Sequence, residues 1–219
     1  IVNDDRRIDI SNIYSLNRIG KSDTIEGGES ITIGGNYKKF DDNNNELMSL
    51  DLAQVYRFNE NKDLPLKSTI GNKSSDLVGN FAIRPNKYLK FNYDFSFDNN
   101  LDRSNYDSMK ADITVNKFVT SFEFLEEKKY GSESFLSNNT SYKFNENNSL
   151  SFKTRKNRKT NLTEFYNLIY EYSNDCLVAS VKYNKEYYSD SDLKPEEQLF
   201  FSLTIVPFGK IDTMNLNQW

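Results

Sequence analysis

The feature that most constrains this chain is a strict two-residue alternation of apolar and polar side chains, repeated along nearly its whole length. The clearest stretch runs Leu89, Phe91, Tyr93, Phe95, Phe97, interleaved with Lys90, Asn92, Asp94 and Ser96. One side is aromatic or aliphatic throughout and the other is polar throughout, the pattern of a strand with two unlike faces. It recurs at Leu50, Leu52, Gln54, Tyr56, Phe58; at Met109, Ala111, Ile113, Val115; at Leu177, Ala179, Val181, Tyr183; and at Leu199, Phe201, Leu203, Ile205. Weaker versions cover 29–40, 77–84, 118–125, 134–144, 149–158 and 162–173, with one more strand expected near 6–14. At 161–172 a helical stripe of Leu162, Phe165, Tyr166 and Ile169 fits as well as alternation does, and its neighbours favour a strand. Between these runs lie Asn- and Asp-rich clusters such as 41–45, 59–63, 98–100, 145–148 and 189–192. Their side chains bond the local backbone and tolerate positive φ, which marks turns.

The reading is all-β: an antiparallel meander of about 11–12 strands, in one domain spanning 1–219 and forming part of a large transmembrane β-barrel. Composition enters at this point. Aromatics make up 14% of residues, yet only 37% are hydrophobic and mean hydropathy is −0.75. Two classes reconcile those values: a polar soluble β-protein, and a barrel whose strands meet lipid on one side and water on the other. Several strands run to nine or more residues, whereas soluble strands average five or six, and about nine to eleven residues cross a bilayer. Aromatics at strand ends (Tyr56, Phe58, Tyr88, Phe97, Tyr187, Tyr188) suit the interfacial girdles of such barrels. No stretch of 18 apolar residues exists, so a spanning helix is excluded.

Chemistry is poorly supplied. The chain has no histidine, which removes Ser-His-Asp and Cys-His nucleophile systems and His-based zinc sites. Its single cysteine, Cys176, cannot close a disulfide within the chain or build a thiolate cluster. A net charge of −4 leaves no basic stripe for nucleic acid. The basic cluster Lys153, Arg155, Lys156, Arg158, Lys159 reads as a loop or an inward face. No catalytic, cofactor or metal residue is expected. The chain starts at Ile1 without Met or a signal-peptide pattern, which reads as a mature product or a fragment.

Five blocks then carry a resemblance. Asn17-Arg18-Ile19-Gly20-Lys21-Ser22-Asp23-Thr24-Ile25-Glu26-Gly27-Gly28 resembles a stretch of the LptD family, N-R-[FI]-x-G-x-D-R-x-E-G-G, with Gly20 one position early and Thr24 in place of Arg. Ile31 to Tyr37 resembles the next strand of that family, and Leu52 to Phe58, containing Gln54 and Tyr56, resembles its G-Q-x-Y-R-[LF] strand with Ala53 for Gly. Ser75-Asp76-Leu77-Val78-Gly79 is similar to its S-D-x-V-G step. Tyr170 to Cys176 resembles a strand near the C-terminus, and Pro207-Phe208-Gly209 its closing signal. The resemblance implies the C-terminal part of a lipopolysaccharide-assembly barrel in the cell outer membrane, with the family's N-terminal jellyroll and first barrel strands absent from 1–219. It implies lipopolysaccharide as cargo, an LptE-like plug lipoprotein, and periplasmic bridge proteins as partners. It also implies an interdomain disulfide at Cys176, beside which a buried free thiol within a strand stays open. Gly27-Gly28 fits a permissive turn or a close backbone approach. Asp23 and Glu26 either hold Arg18 or Lys21 in a loop network or are solvated. A polar lining such as Lys90, Asn92, Asp94 and Lys182 would then offer a wet path for sugar and phosphate. The rival readings are another outer-membrane barrel, such as a porin or receptor, and a soluble β-rich adhesin.

Overall fold

A computed structural model describes residues 6–19, 25–188, 194–205 and 209–212, the last four by backbone alone. Twelve strands follow one another as an antiparallel meander in the order of the chain: β1 (Ser30–Phe40), β2 (Glu46–Arg57), β3 (Leu77–Asn86), β4 (Leu89–Phe97), β5 (Ser104–Val115), β6 (Phe118–Glu127), β7 (Ser134–Lys143), β8 (Asn148–Asn157), β9 (Leu162–Ser173), β10 (Leu177–Glu186), β11 (Glu196–Ile205) and β12 (Gly209–Asp212). The fold is all-β, consistent with part of a barrel wall. Residues 161–172, where a helix stripe competed, form β9. Residues 10–14 form turns and 6–9 no regular element, in place of the expected strand. The Asp9 carbonyl accepts from the Ile13 amide at 2.9 Å and its carboxylate from Ser11, closing a helical-type turn that extended backbone cannot make. The separator expected at 189–192 and the residues Pro207 and Phe208 lie outside the described residues.

The connections differ in length. Those leaving odd-numbered strands are short (41–45, 87–88, 116–117, 144–147, 174–176), while those leaving even-numbered strands range from the four-residue turn 158–161 to the stretch 58–76. Asn44, Asn116 and Asn161 adopt positive φ in their turns, at 63°, 53° and 56°, where an amide side chain offsets the steric penalty.

Two compact units divide the chain: residues 1–111 with 124–134, and 112–123 with 135–219. In the first, register places Leu50, Leu52 and Tyr56 of β2, Phe81 and Ile83 of β3, and Phe91, Tyr93, Phe95 and Phe97 of β4 on one face. In the second, Leu150 and Phe152 face the same way as Tyr166, Leu168, Tyr170, Val181, Tyr183, Leu199, Phe201 and Leu203. These apolar faces are open: Ile33 is 60% exposed and Phe201 58%. Patches of this extent mark contact with membrane or partner. The arrangement a soluble sandwich needs, two oily faces pressed together, is not found within either unit among the described residues.

Several polar groups on the apolar faces are bonded within the protein. In the second unit Thr120 and Thr140 share a hydrogen bond of 2.7 Å, the Asn138 amide donates to Thr120 Oγ1 at 3.0 Å, and Thr140 donates to Asn138 Oδ1 at 2.9 Å. Thr154 donates to the Phe165 carbonyl. Hydrocarbon offers no partners, so a lipid-facing wall requires this internal pairing.

Candidate functional site

The opposite, inward face of the first unit carries the only hydrophobic core cluster among the described residues. Ala53 and Val55 of β2 and Val78 of β3 contribute to it from the sheet. They are covered by Ile8, Ile13 and Ile19 from the segment 6–19, and by Leu64 and Ile70 from the connection 58–76. The sheet's inward residues here are small and apolar, so two irregular segments can lie against them and exclude water. Gly34 makes room for this cover: a Cβ there would meet the Tyr14 hydroxyl at 1.9 Å and the Leu52 carbonyl at 2.7 Å.

An ion cluster holds the cover in place. The side chains of Arg18, Glu26 and Arg57 are 5%, 3% and 1% exposed. Glu26 accepts from Arg18 Nε at 2.8 Å and from Arg18 Nη2, and the same carboxylate accepts from Arg57 Nη2. The guanidinium donors left over are also used. Arg18 donates to Ser30 Oγ at 2.9 Å and Thr32 Oγ1 at 3.1 Å, and Arg57 donates to the Ile70 carbonyl and to the Gly27 carbonyl at 3.0 Å. Charges this deep need full hydrogen bonding to persist. Gly28, with φ of 89°, turns the chain into β1 beside the Arg57 guanidinium, a backbone conformation that glycine adopts without strain.

The second motif pair meets the same structure. Ser75 Oγ accepts from the Val55 amide at 3.0 Å and donates to the Asp76 carbonyl. Gln54 lies on the apolar face, where its amide donates to Ser74 Oγ and the Ser75 carbonyl and its oxygen accepts from the Tyr56 hydroxyl. Asp76 accepts from Lys129 Nζ at 2.7 Å and from Asn105 Nδ2 at 2.9 Å. Gly79 sits under the Phe95 ring, which a Cβ would strike at 2.2 Å. Farther along the inward face a recess of about 410 Å³ is lined in part by Arg7, Asp9, Asp51, Asn80 and Asp94. Asp94 there accepts from Asn80 at 2.6 Å. Nothing in this site sets a nucleophile beside a base; its parts hold segments in place and keep a hydrated lining.

Among the expected site residues, Arg18, Glu26, Gly27 and Gly28 meet at the cluster, and Gln54, Tyr56, Ser75, Asp76 and Gly79 at the start of β3 and the end of β2. Asn17 accepts from the Ile19 amide at 3.3 Å. Gly20 and Asp23, with Lys21, lie outside the described residues. Of the two readings of Glu26, the loop network holds. Arg57 is the partner that the sequence reading did not single out, although it stands in the quoted block next to Tyr56. Cys176 is an exposed thiol in the 174–176 turn, so the alternative of a buried thiol within a strand fails. Asn174 Oδ1 accepts from the amides of Cys176 and Leu177, which fixes a turn directly after β9 ends at Ser173.

Compared with known proteins, the chain matches the family model described as LptD, LPS transport system D, over residues 2–134. No curated protein matches it. The matched stretch is more than half of the chain and contains Arg18, Glu26, Arg57, Asp76 and every core residue named above. The chain belongs to the LPS transport system D family.

Proposed function

We propose that 1–219 is the C-terminal part of a lipopolysaccharide-assembly barrel of the outer membrane, contributing wall strands and inward cover to a conduit that works without covalent chemistry. The carrying observation is the family match on a sheet with one open oily face and one polar face, several of the oily face's polar side chains being bonded within the protein. Strands β1 to β11, of nine to twelve residues, fit a tilted bilayer crossing. Outer-membrane barrels keep short turns in the periplasm and longer loops outside. That rule assigns 41–45 and 174–176 to the periplasm and 58–76 to the cell surface.

In this orientation the inward Asn80, Asp94 and Lys182 line the path of the sugar and phosphate part, while acyl chains travel on the oily side. The jellyroll and first strands belong to a preceding region, the plug lipoprotein to the lumen, and the bridge proteins to the periplasm. The exposure of Cys176 in the 174–176 turn, periplasmic in this orientation, supports a disulfide with that preceding domain. Replacing it with serine should then remove a reduction-sensitive mobility shift of the full-length protein.

The test of the whole reading is depletion of the parent gene followed by labelling of surface lipopolysaccharide. A fall in surface label is expected. Unchanged surface lipid removes the transport role.

A further inference from the structure

The segment 6–19 is fastened to the inward face of the first unit at two points of unlike construction. At one, Arg18, Glu26 and Arg57 are buried, and they bond one another and the polar groups around them. At the other stands Arg7. Its guanidinium lies 3.4 Å from the centroid of the Tyr106 ring, and its Nη1 donates to Glu127 Oε2 at 3.0 Å. The Arg7 side chain is 32% exposed, yet its Nε is buried with no acceptor among the described residues. A buried donor left without a partner costs stability, so this fastening is the weaker one.

The partners at Arg7 also lose little on parting. Glu127 keeps the amides of Lys129 and Tyr130, which donate to its other oxygen at 2.9 and 3.1 Å. Arg7 is already in contact with water. Glu26 has no such reserve, because the donors described for it all belong to Arg18 and Arg57.

Next to Arg7 the chain is folded on itself. The Asp9 amide donates to Asn12 Oδ1 at 3.1 Å, the Ser11 amide to Asp9 Oδ1 at 2.9 Å, and Asn12 Nδ2 to the Arg7 carbonyl at 2.9 Å. These bonds close within the segment, so residues 7–12 can keep their shape while moving as one body. What holds that body down is Ile8 in the core cluster, the two Arg7 contacts, and the Tyr130 hydroxyl, which donates to the Arg6 carbonyl at 3.3 Å. Ile13 belongs to the stronger fastening, since its carbonyl accepts from Arg18 Nη1 and Thr32 Oγ1, both at 3.4 Å. Beside residues 7–11 lies the recess of about 410 Å³, bounded on its sheet side by Asp51, Asn80, Asp94 and Tyr106. It gives the turn space in which to move.

We propose that residues 7–12 are a gate on the inward face of the first unit, latched by Arg7 against Glu127 and Tyr106 and hinged at Ile13. A few residues at the end of an element suffice to absorb such a swing. Opening lifts Ile8 out of the core cluster, reshapes the recess and frees the Arg7 guanidinium for an acceptor arriving there. The lost burial of Ile8 keeps the open form in the minority, and an anion taken up by Arg7 raises its share. The gate depends on packing within one unit and is independent of the transport reading.

Electron-spin distance measurements on the full-length parent protein in detergent provide the test. Spin-labelled noncanonical residues replace Ser11 on the turn and Lys90 on β4, both exposed. Wild type should show a major distance and a minor second one. Arg7→Gln and Glu127→Gln should each raise the ratio of second to major about fivefold, and added salt should act in the same direction because the pair is partly exposed. A label at Glu29, beyond the hinge, in place of Ser11 should give one distance in all three proteins. Hydrogen exchange across 9–12 should be no faster in the variants than in wild type, since the turn travels intact. Heat-modifiable gel mobility confirms that each variant is folded.

One unchanged distance in wild type and both variants overturns the gate. So does a second distance that rises with Glu127→Gln alone, which would trace the motion to the 128–133 connection that Glu127 also organises. Faster exchange across 9–12 overturns it as well, because the turn would then be unfolding instead of swinging.

Discussion

The inward faces of the two units are built differently. In the first, small residues of β2 and β3 are roofed by 6–19 and 58–76, and a dry cluster of Arg18, Glu26 and Arg57 pins the roof. In the second, the inward residues Ser151, Lys153, Asn167, Ser180 and Lys182 alternate with few apolar ones and none is fully buried. Its ion pair Arg155–Glu164 is partly exposed, at 44% and 25%. The same sheet thus supports a globular-type interior at one place and a wet wall at another. The choice is set by whether inward positions are small and apolar or large and polar.

The largest effect that bears on this contrast is expected at the shared carboxylate. Glu26→Ala leaves two guanidiniums buried without a counter-charge and should destabilise the fold by about 3–5 kcal/mol. Glu164→Ala breaks an exposed pair and should change stability by about 0–1 kcal/mol. Urea midpoints of the full-length protein in detergent compare the two; equal losses would mean that the first cluster is wetter than described.

Next comes packing. Ile13 is fully buried in the first unit, so Ile13→Ala should cost about 2–5 kcal/mol through lost contact and an unfilled cavity. Ile169 faces inward on β9 but stays half-buried, and Ile169→Ala should cost about 1 kcal/mol. The same unfolding measurement decides. A third pair tests the roof from below. Gly34→Ala drives a methyl group into Tyr14 and the Leu52 carbonyl and should cost about 1–3 kcal/mol. Gly35→Ala meets nothing within 4 Å and should stay within about 0.5 kcal/mol of wild type. Protease sensitivity near residue 14 should rise in the first variant and not in the second.

The smallest effect concerns pH. In the first unit the 41–45 turn is organised by the Asp41 carboxylate, which accepts from the amides of Asn43 and Asn45 and from the Asn45 side chain. Those bonds, the Asn45 side chain first, hold the Asp41 carboxyl below the usual carboxylate range. A depressed acid contributes its stability above the unfolded-state value and loses it as pH falls through the folded one. In the second unit the equivalent role belongs to neutral amides, Asn145 at 144–147 and Asn174 at 174–176. Hydrogen exchange, corrected for its intrinsic pH dependence, should therefore lose protection at Asn45 on acidification and keep it at Asn147 and Leu177. Parallel loss at all three would place the cause elsewhere.

The strands were legible because alternation depends only on neighbouring residues, and 162–173 resolved correctly as β9 because its neighbours shared that period. The turns were legible through Asn and Asp for the same local reason. What escaped was non-local. Glu26 and Arg57 stand 31 residues apart, and no spacing rule joins them. Residues 6–14 looked like a strand because Ile8 and Ile10 imitate the period, while the useful sign was the wider, uneven interval from Ile8 to Ile13 to Ile19. The close approach of the Tyr14 hydroxyl to Gly34 and of the Phe95 ring to Gly79 is likewise non-local.

The bridging of one acid by two bases also bears on motion. Arg18 and Glu26 cannot part from Arg57 gradually, because the first displacement of Glu26 strips the counter-charge from both arginines together. Separation of these three side chains therefore behaves as a single threshold event, with water or another anion entering in the same step. A cover fastened in this way stays shut against small fluctuations and opens there only as a whole.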